Sequence, residues 1–492
     1  MKASVKTTLG NRREKRINET MLPNAISALC VGLAGVSMAV AAGPDPIIQQ
    51  PGTEARHEVK ATAARADNHE LVFIGDAAIA ALETGPFREV WDRFFDARHP
   101  LDLGYEGSRT TNILWNLRHG ELDGQSPKAV VLLTGGDDSA DSTCTPAQIA
   151  DGVAAIVHLI QEKCPETKVL LLRAFPRVDS DEDEAAHKRA ETDLRAGELV
   201  AKLADDEKVF FLDSNHVFYK LDGSIDPAFL PESGRPTPEG MMEVAREMEP
   251  LLASLLGEHP KEPLSSNTAI VPVSKLEKDG YDWWERHRAI LKLADDLKPE
   301  IVLIGDSITH FWDGAPQSDQ MKPRGPQSFE QTFSGKRVIN LGYGWDRTQN
   351  VLWRLDHSEL DGIHAQWVVI NIGSNNFAET PNARVNTPAE IADGIREIVL
   401  RVRAKSPGSK IVITGVFPFG RDPDASKRDP VNELNKLLAD TYQDVPGIRF
   451  IDVNSELLQP DGTLSAEIMP DGVHPAEKGY KIWGEALAKA MQ

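Results

Sequence analysis

The stretch LVFIGDAAIAAL, Leu71–Leu82, returns 230 residues later as IVLIGDSITHFW, Ile301–Trp312, with Ala77 where the later copy has Ser307. Each begins with a short apolar run rich in branched residues and breaks at Gly-Asp. A continuous run of that kind reads as a strand buried on both faces, as in a parallel sheet. The similarity extends well beyond these lines. RHEVKATAARADNHELVFIGDA from Arg56 lies without a gap on RHRAILKLADDLKPEIVLIGDS from Arg286. LGYEGSRTTNILWNLRHGELDG from Leu103 lies on LGYGWDRTQNVLWRLDHSELDG from Leu341. TPAQIADGVAAIVHLIQEK from Thr145 lies on TPAEIADGIREIVLRVRAK from Thr387, and PESGRPTPEG from Pro231 on PDGVHPAEKG from Pro470. Four collinear matches are a tandem duplication.

Within the second copy, EIVLIG, KRVINLG, QWVVINIG, KIVITGV and IRFIDV read as strands, with helical segments near Arg347, Pro388, Val431 and Ala476. Strands that alternate with helices imply a doubly wound sheet. The predicted fold is therefore α/β: two tandem flavodoxin-like α/β/α sandwiches, each on a five-stranded parallel sheet. Ligands of such sheets bind beyond the carboxyl ends of the strands.

The expected domain plan has four parts. Residues 1–42 carry six cations, then the run AISALCVGLAGVSMAVAA, and read as a signal peptide. Residues 43–257 form the first copy, 258–280 a Pro- and Ser-rich linker, and 281–492 the second copy. Export to the periplasm or beyond follows, with no membrane span left after cleavage. Removing the leader takes the formal charge from −21 to −25. That charge argues against nucleic acid and anionic membranes as partners. The 41% hydrophobic and 26% charged content fits a soluble globular chain. Cys144 and Cys164 flank a predicted helix about 25 Å long, too far apart for the Cα separation of about 7 Å that a disulfide allows.

Ser307 follows the first strand of the second copy, where its own N–H opens the next helix and can stabilise negative charge. Asn375, in INIGSNN, can donate to an oxyanion or simply serve as a turn residue. Asp471 and His474, in D-G-V-H, can orient an imidazole and take a proton from Ser307, or cap the last helix. G-D-S, G-x-N and D-x-x-H in this order resemble the SGNH (GDSL) hydrolase family. NLGYGWDRTQNVLWRL and GSNN further resemble the catalytic subunits of platelet-activating-factor acetylhydrolase and their bacterial relatives. The resemblance implies acyl-ester hydrolysis without metal or cofactor. By it, Ser307 is the nucleophile, His474 the base and Asp471 its partner. The oxyanion hole would use the Ser307 N–H, the Asn375 side chain and an N–H of the Gly344–Trp345 turn. The family has glycine where this chain has Trp345, so Trp345, with Trp312 as a second aromatic wall, is expected to bind substrate.

In the first copy the four positions read Ala77, Asp137, Glu232 and Arg235. Arg235 cannot act as a base near neutral pH, and Asp137 would repel an oxyanion. The first copy is expected to be a pseudo-hydrolase that packs on the second, with Glu232 and Arg235 paired across its site. Asp306 and Asp76, Arg347 and Arg109, and Trp353 and Trp115 recur in both copies and read as framework. The expected activity is a secreted serine esterase that removes short acyl groups, acetyl above all, from an acetylated carbohydrate. A lysophospholipase or lipase, and a noncatalytic glycan-binding surface protein, are the alternatives.

Overall fold

The computed structural model describes residues 47–179, 183–317 and 321–492. The predicted leader lies outside the described residues. Among the described residues, ten strands form two all-parallel sheets. β1 (Leu71–Gly75), β2 (Pro100–Gly104), β3 (Ala129–Leu133), β4 (Lys168–Leu172) and β5 (Val209–Leu212) make the first, in the order β2-β1-β3-β4-β5. β6 (Ile301–Gly305), β7 (Val338–Gly342), β8 (Trp367–Asn371), β9 (Lys410–Thr414) and β10 (Ile448–Ile451) make the second. Its order, β7-β6-β8-β9-β10, repeats that of the first. The order reverses beside β1 and beside β6, and both G-D motifs leave the sheet there. The two predicted α/β/α sandwiches are present, and all five predicted strands of the second copy form.

Both faces of each sheet are covered. In the second copy Val302, Ile304 and Val368 face one apolar core, while Ile301, Leu303 and Val369 face the other. This two-sided burial explains the unbroken apolar runs. Local chemistry sets the helix ends. Thr145 and Thr387 each close a capping box, with Gln148 and Glu390, ahead of a first-turn proline. The first of these helices, Pro146–Lys163, separates Cys144 from Cys164, and no disulfide joins them. Among the described residues, no helix is long and apolar enough to cross a membrane.

The segment read as a linker is tied down along its length. Thr348 Oγ1 donates to Ala269 O at 2.8 Å, Val273 N to Gln349 O at 3.1 Å, and Asn350 Nδ2 to Ser274 O at 2.7 Å. Its composition suggested a solvated connector, but side chains of the second copy satisfy its backbone, so it lies as a strap across that copy.

The copies also contact each other directly, through buried charge. Lys405 Nζ lies 3.2 Å from Asp213 and 2.7 Å from Asp361, and Asp213 lies 2.8 Å from Arg173. Arg401 bonds Asp356 at 2.8 Å and stands 3.9 Å from Glu247 of the first copy. Burial alone would raise the Asp213 pKa, but Arg173 and Lys405 outweigh it and hold the carboxyl far below its ordinary value. Removing one member of such a cluster leaves an uncompensated buried charge. Lys405→Ala is therefore expected to cost about 3–5 kcal/mol of stability, read from the urea midpoint. A loss under about 1 kcal/mol would mean that the cluster behaves as a surface pair.

Candidate active site

Gly305 ends β6, and Asp306 caps the short helix Ser307–His310 by accepting from Ile308 N at 2.9 Å. Asp306 is fully buried, and burial pushes its carboxyl up to about 7. Asp76 repeats this arrangement, accepting from Ala78 N at 3.1 Å, and is likewise pushed up to about 7, by burial and by Asp137. The aspartate thus builds the turn, with or without a serine after it. Arg347 serves the framework too: its guanidinium donates to Arg384 O at 2.9 Å and Ala378 O at 2.7 Å.

Ser307 is partly exposed between buried neighbours. Its Oγ lies 2.9 Å from His474 Nε2, and His474 Nδ1 lies 2.8 Å from Asp471 Oδ2. The other Asp471 oxygen accepts from His474 N at 2.7 Å and Val473 N at 3.0 Å. The imidazole is thus fixed at both ring nitrogens. Burial alone would raise the Asp471 pKa. The His474 amide and ring and Arg324, whose Nη1 is 3.0 Å away, more than reverse this and hold the carboxyl well below its usual range. Burial lowers the His474 pKa below its ordinary value, with Asp471 pulling the other way. A neutral imidazole with Nε2 facing a hydroxyl can accept a proton from it. Phe311 packs between two of these groups, with its ring 4.9 Å from that of His474 and the Arg324 guanidinium 4.4 Å above it.

Three N–H donors lie in the loops that follow β6, β7 and β8. The N–H groups of Ser307 and Trp345 meet no acceptor among the described residues. Asn375 gives one N–H of its amide to Asp346 O at 3.0 Å and keeps the other. The fourth predicted donor is committed elsewhere: Gly344 N donates to Tyr281 Oη at 2.8 Å. Trp345 has φ +65°, a left-handed conformation that costs an L-residue about 1–2 kcal/mol. Its first-copy counterpart is Gly107, at φ +71°. The turn has the geometry of a glycine turn, and the indole is carried on it 44% exposed.

Trp312 is a correction. It is fully buried, donates from Nε1 to Ser328 Oγ at 3.0 Å, and stacks on Trp483 and Tyr480. An indole sealed in the core beneath the sheet cannot wall a pocket. Trp353 packs at the edge of the core and stacks on His357 at 3.6 Å, as Trp115 does on His119 at 3.8 Å.

The sequence reading missed the residues that hold the Gly344–Trp345 turn. Asp346, next to Trp345, is fixed by Trp283 Nε1 at 2.8 Å and by Arg354 Nε at 2.8 Å. Arg354 continues to Glu359, which also receives His287 at 2.8 Å and Tyr343. The first copy keeps His57, Tyr105 and Glu121 but has Thr53, Ser108 and Asn116 in place of Trp283, Asp346 and Arg354. Those three differences were the available signal. Tyr281 and Asp279, from the strap and its end, press on the same turn: a Cβ at Gly344 would collide with the Asp279 carboxylate.

The first copy's equivalent site is occupied by charge. Arg235 pairs not with Glu232 but with Glu106, at 2.7 Å. Glu106 stands at the position of Gly344, where the second copy has no side chain to offer. Arg177 donates to Gly136 O at 3.0 Å and lies against Gly234, in the loop that corresponds to the His474 loop.

An α/β/α sandwich with a serine, histidine and aspartate in relay at the strand ends defines the class of acyl-transferring hydrolases. The chain belongs to the GDSL-like Lipase/Acylhydrolase family, whose model matches residues 73–242 and again 303–482. It is an ester-hydrolysing enzyme. Among its relatives, platelet-activating factor acetylhydrolase IB subunit alpha1 of Homo sapiens is 30% identical over 209 residues, 42% of this chain and 82% of the relative. The alpha2 subunit of Rattus norvegicus is 28% identical over 219 residues, 44% of this chain and 86% of the relative. A GDSL-like lipase from Bacteroides thetaiotaomicron is a structural neighbour at 20% identity and TM-score 0.32, covering 42% of this chain and 96% of its own.

Tyr281→Phe removes the acceptor for the Gly344 N–H and leaves the ring in place. A buried N–H without a partner costs about 1–3 kcal/mol, so the turn should loosen. The expected result is a lower kcat at nearly constant KM for a chromogenic acetyl ester. Unchanged kcat would mean that the hydroxyl does not hold the turn.

Proposed function

We propose that the chain is an exported serine esterase that removes short acyl groups from a carbohydrate, with the second copy catalytic and the first inactive. In this reading residues 1–42 are the leader, 43–257 the inactive copy, 258–280 the connecting segment and 281–492 the catalytic copy. The observation that carries it is the Ser307–His474–Asp471 relay beside uncommitted N–H donors. Ser307 Oγ attacks the acyl carbon while His474 Nε2 takes its proton, and Asp471 stabilises the imidazolium. The Ser307 N–H, the Trp345 N–H and Asn375 Nδ2 bind the oxyanion. Collapse expels the alcohol, which receives the proton from His474. Water, deprotonated by the same imidazole, then releases the acid and frees Ser307. Acetyl as the acyl group is supported by the relatives, which are acetylhydrolases by name. A carbohydrate is supported by the exposed indole on the oxyanion turn, since aromatic faces suit the C–H faces of sugar rings, and by the acidic net charge, which disfavours anionic bilayers.

Ser307→Ala and His474→Ala should each abolish nearly all turnover of a chromogenic acetyl ester, and Arg235→Ala should leave the chemical step intact. Because the base works neutral and its pKa is lowered, kcat/KM should rise with pH through a midpoint below the ordinary imidazole value of 6.5. Substantial turnover by Ser307→Ala would sink the assignment.

Trp345 supplies a separate test. With p-nitrophenyl esters, wild-type activity should fall steeply beyond about four carbons. Trp345→Gly should regain the longer esters, since freed space can take methylenes at about 0.8 kcal/mol each. The variant should also be at least as stable as wild type, because glycine adopts φ +65° without strain. A wild type that prefers chains of about eight carbons or more would make the enzyme a lipase.

A further inference from the structure

A partly open cavity of about 500 Å3 lies where the two copies meet. The first copy contributes Arg177, Asp193, Asn215 and Tyr219 to its wall, and the second contributes Ala404 and Pro407. The volume falls in the range of small-molecule sites. Its polar lining sets it apart from an ordinary packing gap. Asn215 is 5% exposed, and its Nδ2 is committed to Ala174 O at 2.9 Å, while its Oδ1 has no donor among the described residues. Asp193 is 6% exposed; Ser139, Arg177 and Arg189 face its carboxylate, with Arg177 Nε, itself without a hydrogen-bond partner, 3.5 Å from Oδ2, and neither oxygen has an aligned donor among the described residues. Buried polar groups of this kind are nearly always satisfied in folded proteins. Here the unsatisfied groups are mainly acceptors, so they call for a donor.

The charge of the wall narrows the donor's chemistry. Three arginine and three acidic side chains line the cavity, a formal balance that favours a neutral molecule over an anion or an ammonium ion. Apolar surface from Pro176, Ile225 and Pro407 and the ring of Tyr219 complete the lining. Hydroxyl donors on an otherwise apolar C–H surface describe a sugar ring. We propose that this cavity binds a neutral mono- or disaccharide, with hydroxyls donating to Asn215 Oδ1 and the Asp193 carboxylate. Arg177 joins this cavity to the first copy's lost catalytic position, because the same guanidinium holds Gly136 O. The first copy thereby has a carbohydrate-binding role beside its altered site. This inference does not rest on the esterase reading, and binding can be measured without turnover.

The test is calorimetric titration of the full chain with xylose, glucose, xylobiose and cellobiose, each to about 10 mM. Saturable 1:1 binding of at least one sugar is expected, and it should persist in Ser307→Ala. Ala404→Phe, which fills the cavity from the second copy, and Asn215→Leu should each weaken binding about tenfold or more. Both should keep wild-type turnover of the chromogenic acetyl ester. Hydrogen exchange of the wild-type chain supplies an arm that needs no variant: saturating sugar should slow exchange at 173–179 and 215–225. The proposal is overturned if no sugar binds and water alone occupies the cavity. It is equally overturned if Ala404→Phe leaves affinity unchanged, or if protection appears at 305–312 and 470–476 instead.

Discussion

The molecule depends on one close approach, made twice. The helix that starts after the G-D motif lies directly on the ends of two neighbouring strands. A Cβ at Gly305 would stand 2.6 Å from Asn371 O and would clash with Thr309, and one at Gly342 would strike the backbone at His310. In the first copy Gly75 and Gly104 stand under the same pressure from Leu133 O and Ala80. No larger residue fits at these four positions without shifting backbone. The aspartate after the first glycine then caps the helix and is buried by it. Together these contacts set the residue at 307, or at 77, at the mouth of the sheet with its N–H uncommitted. The catalytic chemistry proposed for Ser307 is thus a side-chain choice on a turn that the fold requires anyway, which is why Ala77 can replace it without disturbing the turn.

The two copies separate the forces that hold the fold from those that aim the site. The His–Glu–Tyr cluster survives in both, as His57, Glu121 and Tyr105 and as His287, Glu359 and Tyr343. It ties the opening helix to the second strand of each sheet. What differs is the extension from that cluster to the Gly344–Trp345 turn through Arg354, Asp346 and Trp283. In the first copy Asn116, at the position of Arg354, is buried with its amide unpartnered among the described residues. A buried guanidinium that bridges two carboxylates is costly to maintain. Arg354 in the second copy, where the first has Asn116, fits a turn that must hold an N–H in place against a developing charge.

The strands, the duplication and the relay residues were legible in the sequence because each depends on local pattern. Branched runs mark buried parallel strands, T-P-x-Q and T-P-x-E mark helix starts, and motif order marks the strand ends. The misreadings came from contacts that cross the chain. Trp312 stands five residues from Ser307, but its indole is placed by Ser328, Tyr480 and Trp483, far along the sequence. Tyr281 and Asp279 border a Pro- and Ser-rich stretch whose composition resembles a solvated connector, and nothing local shows that Gly344 lies beneath them. Arg235 turned to Glu106 because a one-residue change on a distant turn, glutamate for glycine, supplied a nearer carboxylate than Glu232.

The strap and the charged seam make the copies interdependent in different ways. Asp279 of the strap and Tyr281 just past its end hold the turn that carries Trp345, so the order of that turn depends on chain outside the repeated core. The seam places Lys405 of the second copy between Asp361 and Asp213, and Arg401 between Asp356 and Glu247. Parting the copies would break the pair between Asp213 and Lys405, leaving Asp213 only Arg173 and Lys405 only Asp361, and Arg403 would lose its hydrogen bond to Leu221 O. Most of the second copy's helix Pro388–Lys405 beyond Val399 is buried by this contact and by its own sheet. Its last two turns carry three cations, which an isolated domain would have to solvate on a face now closed. The copy with Ala77 in place of Ser307 therefore still has a physical function: it completes the electrostatics of the helix that packs behind the second sheet.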